Sequence, residues 1–161
     1  MVRLVVPQKD AADITRIYNK YIETTTVSFE TEALSEEQML ERIETICRDF
    51  PYFVYEEEGN VVGYAYVHTW KERAAYRKTL ETTIYLDGEK THHGIGTLLM
   101  RRLIEECRKR GYKTLIACIT GDNIASIEFH KGLGFVQASL FHCVGFKFGK
   151  WLDVVDMEYL L

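Results

Sequence analysis

His92-His93-Gly94-Ile95-Gly96-Thr97 stands between a strand-like run, Thr79 to Leu86, that carries Glu81, and a helix read as starting at Thr97. Glycine at 94 and 96 lets backbone approach a ligand closely, and the free N–H groups and positive dipole end of the following helix favour negative charge. The turn therefore reads as a phosphate cradle. A nucleoside triphosphatase would need G-x-x-x-x-G-K-[ST], which is absent, and a dinucleotide fingerprint would need a third glycine where Leu99 stands. An isolated G-x-G more often does no more than open a helix, so its neighbours must decide.

Downstream, Ile95, Leu98, Leu99, Leu103, Ile104 and Cys107 mark one helical face that stops at Gly111. Lys113 to Ile119 reads as an apolar strand, Asn123 to Lys131 as a short helix, and Gly132-Leu133-Gly134 as a turn into strands at Phe135 to Val144 and Trp151 to Leu160. Upstream, Leu4 to Val6 reads as a first strand and Asp10 as the cap of a helix through Ile14, Ile17, Tyr18, Tyr21 and Ile22. Ser35 with Gln38 forms a capping-box signature for a second helix ending before Pro51. Tyr52 to Glu57 and Val61 to His68, joined by Glu58-Gly59-Asn60, read as an antiparallel hairpin. The order predicts an α/β fold: a mixed sheet with helices on both faces, in one domain spanning 1–161.

Composition narrows the function classes. The chain has 161 residues, 47% apolar and 27% charged, which is ordinary for one globular domain with its own core. With 20 basic and 24 acidic side chains the formal net charge is −4, so nothing favours a nucleic-acid partner. Cys47, Cys107, Cys118 and Cys143 are scattered, with neither disulfide nor zinc spacing, and read as reduced thiols of a cytoplasmic protein. No apolar run approaches membrane-spanning length, so no membrane partner is expected. The adjacent pair His92-His93 lacks a carboxylate or thiol at ligand spacing, and no metal is expected there.

The strand Thr82 to Leu86, the turn His92 to Thr97, and Asn123-Ile124-Ala125-Ser126 followed by His130, Gly134 and Phe135 together resemble the GNAT acetyltransferase superfamily. Three further segments are similar to its phosphinothricin and methionine sulfoximine N-acetyltransferase branch. They are Thr24 to Phe29, Trp70 to Tyr76, and Gly145 to Asp153. The resemblance implies a mostly antiparallel sheet in which two parallel strands, Thr79 to Leu86 and Lys113 to Ile119, splay apart to admit the pantetheine arm of acetyl-CoA. It implies that backbone at Ile84, Tyr85 and Leu86 bonds that arm, that His92, His93, Gly94, Ile95, Gly96 and Thr97 receive the pyrophosphate, and that Asn123 also bonds the cofactor. It further implies a small-molecule amine as acceptor and a homodimer with Gly145 to Asp153 near the shared edge. The superfamily turn usually begins with Gln or Arg; Thr91 stands there instead, which bears on affinity more than on activity.

A protonated amine cannot attack a thioester until it loses a proton, so the chemistry needs a nearby base. Glu81, in the strand bordering the expected pocket, is the candidate, against the plainer reading of a strand carboxylate paired with a basic residue. His130 is expected to protonate the CoA sulfur or to orient the acceptor, against a helix-face histidine bonded to a carbonyl. Arg73 and Arg77, from the basic stretch Lys71 to Lys78, are expected to hold the acceptor's carboxylate or phosphinate, with Tyr76 and Phe29 as walls. Direct transfer is expected, a covalent route through Cys118 being a minor alternative. The rival functions are acetylation of another amine (a protein N-terminus, a polyamine or an antibiotic) and a non-catalytic CoA-binding module.

Overall fold

A computed structural model describes every residue except His92, with Glu89 described by its backbone alone. The elements are β1 (Val2–Leu4), α1 (Pro7–Thr24), α2 (Glu36–Cys47), β2 (Tyr52–Glu57), β3 (Asn60–Thr69), β4 (Thr79–Leu86), α3 (Ile95–Lys109), β5 (Thr114–Thr120), α4 (Ile124–Leu133), β6 (Val136–Lys147) and β7 (Lys150–Leu160). Short 3-10 turns occupy Ala74–Tyr76 and Gly88–Lys90. One seven-stranded sheet runs in the order β1-β2-β3-β4-β5-β7-β6, antiparallel throughout except for β4 against β5. The expected α/β class and mixed sheet are borne out.

Strand alternation divides the core in two. On one face α3 packs Ile95, Leu99, Met100 and Leu103 against Phe53, Leu80, Leu115 and Ala117. On the other, Ala11, Ile14 and Ile17 of α1 and Met39 and Ile43 of α2 cover Tyr52, Val54 and Tyr64. A tyrosine stack extends this second layer along the sheet, with ring centroids 4.7 Å apart for Tyr52–Tyr66 and 5.7 Å for Tyr64–Tyr85. Aromatic rings in such offset contact gain beyond their burial, so the layer gives a stiff wall to whatever lies above it.

Several expected boundaries move. The first strand is Val2–Leu4 and not Leu4 to Val6, because Pro7 takes the first helical position of α1, where its missing N–H costs nothing. Asp10 therefore is not the cap: it lies inside the first turn, buried, accepting the Val6 N–H at 2.8 Å and both ends of the Arg3 guanidinium at 2.7 and 2.8 Å. The capping box at Ser35 and Gln38 forms as expected. The last two strands are longer than expected. They meet through Phe148 and Gly149, both at positive φ (50° and 74°), which matches the twist of a two-residue hairpin turn.

Candidate active site

β4 and β5 pair in parallel only at Thr79↔Thr114, Leu80↔Leu115 and Glu81↔Ile116. Beyond that point the ladder ends and the two strands part, with the Thr82 hydroxyl donating to the Ile116 carbonyl at 3.3 Å across the fork. A cavity of about 1260 Å³ opens in the gap, walled by β4, β5, the start of α3, α4 and the segment Val27 to Glu30. That volume exceeds the range of pockets for one drug-sized ligand, roughly 300–1,000 Å³, and suits two substrates meeting.

Gly94, capping α3 in the left-handed region at φ 77°, starts the helix at Ile95, two residues before the expected Thr97. A Cβ at Gly96 would come within 3.2 Å of the Phe129 ring, so glycine there lets α3 approach α4. Gly94, Gly96 and Thr97 line the cavity, as does Thr91, whose hydroxyl donates to the Gly88 carbonyl at 3.1 Å. Ile95 instead buries its side chain in the α3 core, leaving only backbone for a ligand, and His93 is exposed outside the cavity walls. His92 lies outside the described residues.

Ile84, Tyr85 and Leu86 line the cavity along the free edge of β4. Tyr21 reaches across from α1 and donates its hydroxyl to the Leu86 carbonyl at 2.7 Å. Asn123 caps α4: its side-chain oxygen accepts the Ser126 N–H at 3.2 Å, so the carboxamide oxygen is already engaged. Asn123 also lines the cavity.

Glu81 is the last paired residue before the fork, its side chain 26% exposed. Burial pushes its carboxyl above the ordinary carboxylate range, opposed by the neighbouring His68. His130 is buried, 3% exposed, between the Phe129 and Phe135 rings. Its Nδ1 lies 2.8 Å from the Ser126 carbonyl oxygen, which can only accept, so Nδ1 carries the proton and Nε2 presents a lone pair. Burial lowers this ring's pKa and favours the neutral form. Cys118 opens to the cavity, yet desolvation and the nearby Glu81 and Asp156 carboxylates push its thiol well up. A thiol in that setting is a poor nucleophile.

Phe29 forms part of the wall, but Arg73, Tyr76 and Arg77 do not line the cavity. The stretch holding them packs on itself: Lys71 lies 4.1 Å over the Trp70 ring, and Trp70 meets Tyr76 edge-on at 5.3 Å. Residues missed by sequence reading complete the wall, among them Tyr18, Tyr66, His68, Ser28, Glu30 and Thr120. Glu30 accepts the Tyr18 hydroxyl and a two-pronged grip from Arg42 at 2.8 and 2.9 Å. Among the described residues, no group of three His, Cys, Asp or Glu side chains is gathered to hold a metal, and no helix is long and apolar enough to cross a membrane.

The family model for the acetyltransferase (GNAT) domain matches residues 4–155. A phosphinothricin N-acetyltransferase of Alcaligenes faecalis is 39% identical over 157 residues, 96% of this chain and 79% of the relative. An L-methionine sulfoximine/L-methionine sulfone acetyltransferase of Salmonella typhimurium is 35% identical over 94% of this chain and 90% of its own length. Among solved structures, a phosphinothricin acetyltransferase from Sinorhizobium meliloti in complex with AcCoA matches with a TM-score of 0.95 at 36% identity, over 100% of this chain and 88% of that one. The forked β4–β5 pair, the glycine-capped α3 and this extent of similarity together make the chain a member of the GNAT acetyltransferase family.

Proposed function

We propose that the chain is an acetyl-CoA-dependent N-acetyltransferase acting by direct transfer on a small amino-acid-like amine of the phosphinothricin, methionine sulfoximine or methionine sulfone type. The observation that carries this reading is the position of Glu81, half-buried at the fork where β4 and β5 separate into a cavity large enough for two substrates. The left-handed Gly94 cap and the close α3–α4 approach at Gly96 form a cradle that suits a pyrophosphate. The open edge of β4 from Ile84 to Leu86 suits the amides of a pantetheine arm, and the NH₂ of Asn123 is the part of that side chain left for a ligand.

In this reading Glu81 takes the proton of the acceptor ammonium, and its raised pKa makes it a stronger base than an ordinary carboxylate. The amine nitrogen then bonds to the thioester carbon as the carbonyl π bond opens; on collapse the C–S bond breaks and the second N–H proton passes to the departing sulfur, so that CoA leaves as thiol. His130, with Nδ1–H spent on Ser126, acts as a hydrogen-bond acceptor that orients the amine, in preference to an acid that protonates the thiolate. The protonated Cys118 argues for direct transfer without a covalent intermediate. Acceptor recognition falls first to Phe29 and the tyrosine wall, with Arg73, Tyr76 and Arg77 outside it. The enzyme works as one domain, without metal, in the cytoplasm, and as a homodimer joined near β6, whose Leu140, Phe141 and Val144 are exposed.

The test is CoA release from acetyl-CoA with a panel of amines: L-methionine sulfone, L-methionine sulfoximine, phosphinothricin, spermidine and an alanine-terminated peptide. The amino-acid analogues are expected to turn over, and Glu81→Gln to lower kcat by about a hundredfold or more with acetyl-CoA affinity intact. A preference for the peptide or spermidine would reassign the acceptor. CoA binding without turnover of any amine would leave a non-catalytic module.

A further inference from the structure

His68, on β3, stands directly across from Glu81 in the β3–β4 register. Its Nε2 lies 3.7 Å from Glu81 Oε1, and its Nδ1 lies 3.0 Å from the backbone carbonyl oxygen of Thr69. That carbonyl can only accept, so Nδ1 carries the proton of the neutral ring and Nε2 turns its lone pair toward the carboxylate. His68 is also the more open of the two, 36% exposed against 26% for Glu81.

The other groups around Glu81 cannot carry a proton away. Cys118 on β5 reaches toward Glu81, but burial and the two flanking carboxylates keep its thiol protonated. Asp156 on β7, the register partner of Cys118, is a like charge to Glu81. Tyr66, two residues before His68 on the same strand face, keeps its phenol proton because burial raises its pKa. A base that takes a proton each turnover must also lose it, and of these neighbours only His68 turns a ring-nitrogen lone pair to the carboxylate on a side chain that opens toward solvent.

We propose that His68 is a positioning and relay residue that returns Glu81 to its carboxylate form after each turnover. The ammonium N–H bond breaks as an O–H bond forms on Glu81; that O–H bond breaks as Nε2–H forms on His68; the imidazolium then gives its Nε2 proton to bulk water. No other reactant is consumed. The 3.7 Å gap closes to hydrogen-bond distance by a side-chain shift of less than about 1 Å, or is spanned by one water. The relay rests on the reading of Glu81 as the base.

The experiment is kcat/KM and kcat against pH for the full chain with acetyl-CoA and L-methionine sulfone, for the wild type, His68→Gln, His68→Ala and Glu81→Gln. Removing the imidazole is expected to lower kcat by about ten- to a hundredfold and to move the acidic limb of the kcat/KM profile to higher pH. Added imidazole should partly restore His68→Ala, while acetyl-CoA affinity stays unchanged in both His68 variants. His68→Gln keeps the bulk and polarity of the site should His68→Ala fold poorly. Loss of turnover in Glu81→Gln, with both His68 variants keeping the wild-type pH profile and showing no response to imidazole, overturns the relay and leaves Glu81 as base. Full activity in Glu81→Gln overturns both readings.

Discussion

Desolvation disfavours whichever form of a group carries charge, so the same cavity lifts the Glu81 carboxyl and lowers the His130 imidazole. For His130 the sign of the consequence follows from linkage. An unfolded histidine titrates near about 6.5 and the folded ring lower, so between the two values the unfolded chain binds more protons and stability rises with pH. Replacing the ring by Gln is expected to flatten the dependence of Tm on pH below about 6.5 relative to wild type, and to lower kcat by about ten- to a thousandfold. Parallel Tm profiles in the two proteins would contradict a buried neutral His130. Glu81 and His130 are candidates already in the sequence, because each occupies a motif with its own neighbours, and both line the cavity. His68 was not legible: its meaning lies in pairing with a residue 13 positions later, and that register forms only when β3 and β4 dock. Arg73 and Arg77, expected at the pocket from their nearness in sequence to Glu81, lie outside the cavity of this chain, in and next to the self-packed Trp70–Tyr76 stretch.

The β6–β7 hairpin holds the Val27 to Glu30 segment of the cavity wall. Lys147, buried on β6, donates its ammonium to the Ser28 carbonyl at 2.7 Å. Thr120 at the end of β5 donates to the Thr26 carbonyl at 2.8 Å, and Asp122 accepts from both Thr26 and Lys150. Between these ties the Phe29 ring lies flush on Gly145, where an added Cβ would stand 2.4 Å from it. Gly145 is thus needed for space and not for a left-handed backbone. Gly145→Ala must displace Phe29, and about a tenfold or greater rise in acceptor KM is expected with acetyl-CoA KM nearly unchanged, since misplacing a positioning group costs rate steeply. Steady-state kinetics on both substrates tests this; equal changes in the two KM values would point to general loosening. This clamp could not be read beforehand. The glycine turn, the capping box at Ser35 and the β2–β3 hairpin are local signals spelled out by adjacent residues, whereas the clamp joins segments 119 positions apart.

The molecule as a whole leaves one side of its sheet unfinished. β1, at one edge, is three residues long, and its short edge presents little backbone to pair with. β6, at the other edge, is 12 residues long, and from Val136 to Val144 it is exposed on both faces except at Ser139, so no helix among the described residues covers it there. Leu140, Phe141 and Val144 therefore face solvent, and further along the hairpin Phe146 and Trp151 pair across the strands at 58% and 66% exposure, their ring centroids 5.0 Å apart. Scattered apolar residues on a surface mean little, but a contiguous aromatic and aliphatic edge of this kind marks an interface. We propose a second copy of the chain as its occupant, because an isologous contact through a strand edge covers the same patch on both partners at once. Sedimentation of the wild type is expected to give a dimer, and Trp151→Lys with Phe146→Lys a monomer whose fold survives, because both side chains lie outside the cores. Because Lys147 and Gly145 sit in the same hairpin and hold Phe29, losing the partner should also weaken acceptor binding more than acetyl-CoA binding. A wild type that sediments only as monomer at assay concentration would remove the dimer, and a monomeric double variant with unaltered acceptor KM would separate the shared edge from the site.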